Sequence, residues 1–240
     1  MDNSFVRKLR SLAQLTADDV RAIEAAMPTR RKYAAKQDLI REGDRPGPVF
    51  VVLEGWACRY KILPNGSRQI LGFLMPGDSC DLHIHVPAEM DHGIQTVTAA
   101  VVATIEGAQM DALMEARPAV AKAMYAAQLI DEGLMRAWIT SMGRRASIER
   151  VAHLLCELYL RARNIGLTQD DQLTLPLSQV MLADSLGMTP VHLNRVLKEL
   201  REQGAVTLER GSLRLQDPAL LAVIAGFDEN YLHRRLRKAA

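Results

Sequence analysis

Two groups of side chains in this sequence have types and spacing that could do chemistry. The first is Val191, Asn194, Arg195 and Lys198, which recur at helical spacing and put a branched alkyl group, an amide, a guanidinium and an ammonium on one stripe. An amide pairs two-pronged with adenine and a guanidinium with guanine; an alkyl group meets the thymine methyl, and an ammonium meets phosphate. The second is His83, His85 and His92, beside Cys80 and Asp81. On a strand residues 83 and 85 would point to one face, so a haem or other metal site on His83, His85 and His92 is one reading. Polar positions on a loop are the other, and since their spacing matches no known site closely, no metal is assigned.

The first stripe needs a short rigid rod, and its surroundings supply one. In the stretch LSQVMLADSLGMTPVHLNRVLKELREQ, Leu177 to Gln203, Ser178 can cap a helix whose apolar residues Val180, Leu182, Ala183 and Leu186 follow at helical spacing. Gly187 then breaks the helix, and Thr189-Pro190 restarts it with an N-cap followed by proline at the first helical position. Leu193, Val196, Leu197 and Leu200 turn inward, one step out of phase with the polar stripe. This is the grammar of a helix-turn-helix; an amphipathic helix with a merely solvated charged face is the alternative. After Gly204, Val206/Leu208 and Leu213/Leu215 alternate with polar residues around Glu209-Arg210-Gly211-Ser212, a hairpin signal. A hairpin behind a recognition helix makes a winged helix, with Arg210 and Arg214 placed to meet the sugar-phosphate backbone.

The segment from about Gly143 to Gly226, carrying GRRASIERVAHLLCEL, the LPLS start, the LADSLGMT turn and the final DPALLAVIAGF, resembles the DNA-binding half of the Crp/Fnr superfamily of bacterial transcription regulators. REGDRPGPVFVVLEGWACRYKILPNGSRQILGFLMPGD in the N-terminal half is similar to the superfamily's β-roll, the fold of cyclic-nucleotide-binding domains. The resemblance implies an α+β fold. An antiparallel β-roll of jelly-roll or cupin-like type, with leading helices, would occupy residues 1–110, a dimerisation helix and hinge 111–143, and a winged helix-turn-helix 144–240. It implies a homodimer on palindromic double-stranded DNA, with RNA polymerase and a small-molecule effector as further partners. Arg195 would read guanine and Asn194 an adjacent base, with Thr189, His192 and Lys198 nearer the backbone and Ser178 also among the DNA-binding residues. Many relatives carry glutamate where this chain has Val191; glutamate accepts from cytosine and valine cannot, so the preferred half-site should differ.

The N-terminal half supports the sensor reading in texture. Residues from Val6 to Met27 read as one or two helices, with Thr16 as a cap. From Arg30 to Glu106 β-branched runs alternate with turns, including the buried-strand run Phe50 to Leu53, an apolar face of Trp56, Cys58, Tyr60 and Ile62, and the Asn65-Gly66 hairpin cue. A candidate effector pocket gathers Gly77, Asp81, Leu82, His83 and His92. In the superfamily a Gly-Glu-Leu stretch holds the ribose of a cyclic nucleotide, and an Arg-Ser or Arg-Thr pair about ten residues on neutralises its phosphate. Here Asp81-Leu82 stands in for Glu-Leu, but Leu82 to Thr98 contains no basic residue except histidines. Burying a phosphate without a cation is costly, so cAMP is not expected and the effector is unknown.

Between the halves, Ala123, Ala127, Ile130, Leu134, Ala137 and Ser141 fall at alternating steps of four and three, the seam of a short coiled coil between two copies; an intramolecular core stripe with Met124 and Trp138 is the alternative. Gly143-Arg144-Arg145 reads as a hinge, Ser147 as the cap of the next helix, and Asn164 to Thr174 as a polar loop. Asp217-Pro218 starts a last helix, followed by a basic tail.

Composition fits this organisation. Three cysteines, none before Cys58, offer neither a disulfide framework nor the N-terminal cysteine group of iron–sulfur relatives. Net charge is +2; 16 basic and 17 acidic residues precede Gly143 and 14 and 11 follow it, so the C-terminal half is the more basic. With no long apolar run and no signal-peptide core, a cytoplasmic address and no membrane partner are expected. A catalytic set is not evident. A cupin-like enzyme using His83 and His85 would leave the C-terminal half unexplained, and a nucleotide-gated module without DNA binding would leave the Arg195 stripe unexplained.

Overall fold

The computed structural model describes residues 2–80, 82, 88–209 and 211–232. Asp81, His83, His85, Arg210 and the basic tail, all singled out above, lie outside the described residues. The chain divides into two compact units, Met1–Ser67 with Leu71–Asp131 and Arg68–Ile70 with Glu132–Ala240.

The first unit opens with α1 (Ser4–Leu12) and α2 (Ala17–Ala25). Thr16 caps α2 reciprocally: its hydroxyl accepts from the Asp19 backbone N–H at 3.2 Å while the Asp19 carboxylate accepts from the Thr16 N–H at 2.9 Å. Among the described residues eight strands follow: β1 (Thr29–Tyr33), β2 (Asp38–Ile40), β3 (Val49–Glu54), β4 (Ala57–Ile62), β5 (Arg68–Leu74), β6 (Ser79–Cys80), β7 (Gly93–Thr96) and β8 (Ala100–Ile105). They form two four-stranded sheets, ordered β1-β8-β3-β6 and β2-β7-β4-β5. One apolar core draws on both sheets. Val49 to Leu53 of β3, Val102 and Ile105 of β8 and Ile94 of β7 meet Phe5 and Leu9 of α1 there. Each such buried aliphatic side chain contributes about 1.5–3 kcal/mol.

The expected alternation along β4 holds only in part. Ala57 is fully buried and Ile62 is 54% exposed, because both faces are covered where β4 starts and neither where it runs into the Asn65-Gly66 turn. Tyr60 lies with its ring beside Gly93 and donates from its hydroxyl to Asp38 at 3.0 Å.

After α3 (Gly107–Ala116), α4 (Pro118–Arg144) runs unbroken for 27 residues, through both Gly133 and Gly143. Its coiled-coil seam needs correction at its start. Ala123 is fully buried in the core of its own chain, beside Val120 and Met124, and Ala127 is buried too; Ile130, Leu134 and Ala137 are half-buried. The exposed apolar residues of α4 are Tyr125, Leu129, Met135, Ile139 and Met142, which at about 100° per residue lie on the opposite side of the helix from that seam. Apolar periodicity marked two faces at once, and its small residues were those serving the subunit's interior.

The second unit holds α5 (Ser147–Asn164), β9 (Thr168–Gln169), β10 (Gln172–Thr174), α6 (Gln179–Leu186), α7 (Pro190–Glu202), β11 (Val206–Glu209), β12 (Ser212–Leu215) and α8 (Pro218–Ala225). Asn164 to Thr174 is not simply a polar loop. It contains a hairpin, turned by Asp170 and Asp171 in left-handed backbone conformations, that completes a sheet ordered β11-β12-β10-β9. Tyr159 fastens it to α5 by donating to Asp171 at 2.6 Å.

Candidate nucleic-acid interface

The two helices of the turn are built as their residues dictate. The Ser178 hydroxyl accepts from the Met181 N–H at 3.2 Å and opens α6; Gly187 closes it at φ 60°, a conformation in which glycine alone carries no Cβ penalty. Thr189 then accepts from the His192 N–H at 3.2 Å, with Pro190 first in α7. Leu193, Val196 and Leu200 are buried where α7 meets α5 and α6. Of the apolar residues expected to anchor α6, Val180 instead stands 55% exposed.

Val191 is 81% exposed, and Asn194, Arg195 and Lys198 are exposed beside it, so the stripe forms one outward face. Its members are not equally free. Lys198 faces Glu202 at 3.6 Å one turn on, an exposed pair of a few tenths of a kcal/mol. The Arg195 guanidinium lies 2.6 Å from His192 Nδ1, and His192 Nε2 lies 2.8 Å from Ser147 Oγ. A guanidinium only donates, so Nδ1 accepts and the ring proton belongs on Nε2, directed at Ser147. Ser147 is therefore not the N-cap of α5. That place is taken by Ala146, whose N–H is closed by the Glu149 carboxylate at 2.9 Å.

Three residues of α5 make contacts that had no counterpart in the sequence reasoning. Arg150 of α5 donates to Leu186 O at the end of α6, at 2.8 Å, and to Arg145 O just beyond α4, at 3.3 Å. Glu157, fully buried in α5, accepts from Trp138 Nε1 at 2.9 Å and from the Tyr231 hydroxyl at 3.4 Å, and pairs with Arg161 at 3.3 Å. Burial pushes its carboxyl above the usual range, against the pull of Arg161. His153, one turn earlier, packs between the rings of Phe227 and Tyr231; burial, helped by Arg145, lowers it to about 4. The signal available was a glutamate and a histidine inside an otherwise apolar helical run, HLLCELYL.

In the wing, Arg214 donates to Gln172 of β10 at 3.3 Å. In the first unit, Gly77 sits at φ 98° where a Cβ would stand 2.7 Å from Ser4 O, so it serves the packing of α1. Leu82 packs on the core, and His92 meets Asp91 at 2.7 Å. A cation is present that scanning Leu82 to Thr98 could not find: Arg59 of β4 reaches Ser79 O and the Asp131 carboxylate of α4, each at 3.4 Å.

Residues 149–224 match the Crp-like helix-turn-helix domain family and residues 30–117 the cyclic nucleotide-binding domain family. The chain belongs to the Crp/Fnr family. Among its Crp/Fnr relatives, the nitrogen fixation regulation protein FixK of Bradyrhizobium diazoefficiens is 28% identical over 92% of this chain and 91% of its own length. The transcriptional activator protein FnrL of Cereibacter sphaeroides is 29% identical over 83% of this chain and 82% of its own. The solved structure of FixK2 from Bradyrhizobium japonicum shares the fold, with a TM-score of 0.75 and 23% identity over 83% of this chain and 98% of that one. As a Crp/Fnr protein the chain is a transcription regulator with a helix-turn-helix DNA-binding domain. Among the described residues, no helix is long and apolar enough to cross a membrane.

Proposed function

We propose that this chain is a homodimeric, cytoplasmic transcription regulator that binds palindromic double-stranded DNA by inserting α7 of each copy into successive major grooves. The observation that carries the reading is the outward face of Val191, Asn194 and Arg195 at the start of α7, held by the Thr189 cap and backed by buried Leu193, Val196 and Leu200. Arg195 pairs with guanine through O6 and N7, Asn194 addresses a neighbouring base, and Val191 contacts a thymine methyl. Lys198 and Arg214 lie nearer the phosphates. Half-sites one helical turn apart, about 34–36 Å, require two copies.

The pairing surface is the exposed side of α4. Tyr125, Leu129, Ile139 and Met142 form an apolar stripe that a second α4 would cover. The effector, if the sensor unit takes one, is not cAMP, since the superfamily's phosphate-binding arginine has no counterpart between Leu82 and Thr98. RNA polymerase is the partner through which such a regulator acts.

Selection of sites from random DNA by the purified protein, followed by titration of Arg195→Ala on the selected palindrome, tests the reading. A loss of about 1–3 kcal/mol with relaxed preference at one base pair is expected; a loss below about 1 kcal/mol removes Arg195 from base reading.

A further inference from the structure

We infer that His192 is a positioning residue for the base-reading arginine, held by Ser147, and not a contact to phosphate. This rests on Arg195 reading a base.

The histidine stands one turn before Arg195 on α7, and both of its ring nitrogens are occupied within the protein. Nδ1 accepts from the guanidinium at 2.6 Å, and the Nε2 proton points at Ser147 Oγ, 2.8 Å away. Neither nitrogen is left to donate to a phosphate without breaking one of these bonds. An arginine on a helix surface has many rotamers, and a two-pronged contact uses only those that aim its planar fork at the base edge. One hydrogen of one terminal nitrogen goes to His192. The other hydrogen of that nitrogen and the second terminal nitrogen remain for guanine. The imidazole thus fixes the direction of the fork without consuming it.

Ser147 makes the arrangement more than a contact along one helix. It is the first residue of α5, three residues past the end of α4, and it has given up the capping role to Ala146 and Glu149. The orientation of Arg195 is therefore referred to α5, the scaffold of this unit, as well as to α7. Preorganised donors of this kind improve discrimination more than general affinity, because non-specific binding uses charge alone.

The test uses the full chain and its selected palindrome. Dissociation constants are measured for that site and for one with the Arg195-read base pair changed in both half-sites, over a range of salt, for the parent, His192→Ala, His192→Asn, Ser147→Ala, Arg195→Ala and the double variant His192→Ala/Arg195→Ala. His192→Ala should reduce discrimination at that base pair on the order of ten-fold, leaving non-specific affinity and the salt slope unchanged. His192→Asn, whose amide oxygen can accept near the place of Nδ1, should recover most of the loss, and Ser147→Ala should lose part of it. In the Arg195→Ala background, removing His192 should change nothing further. The inference is overturned if His192→Ala weakens all sites alike and lowers the salt slope by about one, as a phosphate contact would. It is overturned equally if His192→Ala matches the parent, or acts in full without Arg195. Undiminished discrimination by Arg195→Ala alone would bring down the base-reading assignment, and this inference with it.

Discussion

Acid should loosen the DNA-binding unit through His153. The imidazole ordinarily titrates near 6.5 and is lowered to about 4 in the fold, chiefly because its place among Phe227, Tyr231 and the apolar face of α5 excludes water and secondarily because Arg145 is near. A base whose folded value is depressed is protonated more readily when unfolded, so stability is lost as pH falls from 6.5 towards 4 and is regained above that window. At about pH 5 the unfolded imidazole is nearly all charged and the folded one about one-tenth charged, which costs about 2 kcal/mol relative to neutral pH. The measurement is urea unfolding at about pH 7 and about pH 5 of the parent and of His153→Leu. Fluorescence of Trp138, whose indole donates to Glu157 within this unit, reports the transition in a Trp56→Phe background, because those are the chain's two tryptophans. Glu157 acts in the opposite sense: its raised carboxyl favours the fold at low pH and loses that contribution as pH rises, but it is common to both proteins and cancels. His153→Leu should lose about 2 kcal/mol less than the parent between the two conditions. An identical decrement in both would refute the account.

Thr189→Ala removes the cap of α7 and should lower unfolding free energy by about 1 kcal/mol, visible as a reduced urea midpoint, with weaker binding to the selected palindrome. Val191→Glu gives the exposed start of α7 an acceptor for cytosine N4; repeated site selection should return half-sites with cytosine at the corresponding position, and an unchanged consensus would place residue 191 away from the bases. Ile139→Asp puts a charge in the centre of the exposed α4 stripe, 73% exposed in the single chain, and should shift sedimentation toward the monomer while leaving the thermal transition of each unit near its original place.

What could be read directly from the chain was whatever is governed by neighbours in sequence. Ser178, Gly187, Thr189 and Pro190 are local instructions, as are the Thr16 box and the Asn65-Gly66 turn, and the structure obeys each of them. Where two requirements shared one periodicity, reading became ambiguous. Along α4 Ala123, which looked like part of a seam between copies, was satisfying the core of the β-roll unit, while the larger exposed apolar residues lay across the helix. The β9–β10 hairpin was hidden because its turn is two aspartates and its strands are two and three residues long, too short for any alternation to register. Contacts that join distant parts of the sequence, such as Ser147 with His192, Arg150 with Leu186 and Arg59 with Asp131, have no sequence signature, since a hydroxyl or guanidinium does not announce its partner.

The guanidinium of Arg150 answers two carbonyl groups at once, one left open where α6 stops and one just past the stop of α4. Both are negative poles of a rod of aligned peptide dipoles, and a single cation serves as counter-charge to the pair. Draw the two rod ends apart and one oxygen is stranded without a donor; let them stay together and the turn before the reading face travels with the rod that a second copy would grip. One cation thus ties the turn that precedes the reading face to the end of α4.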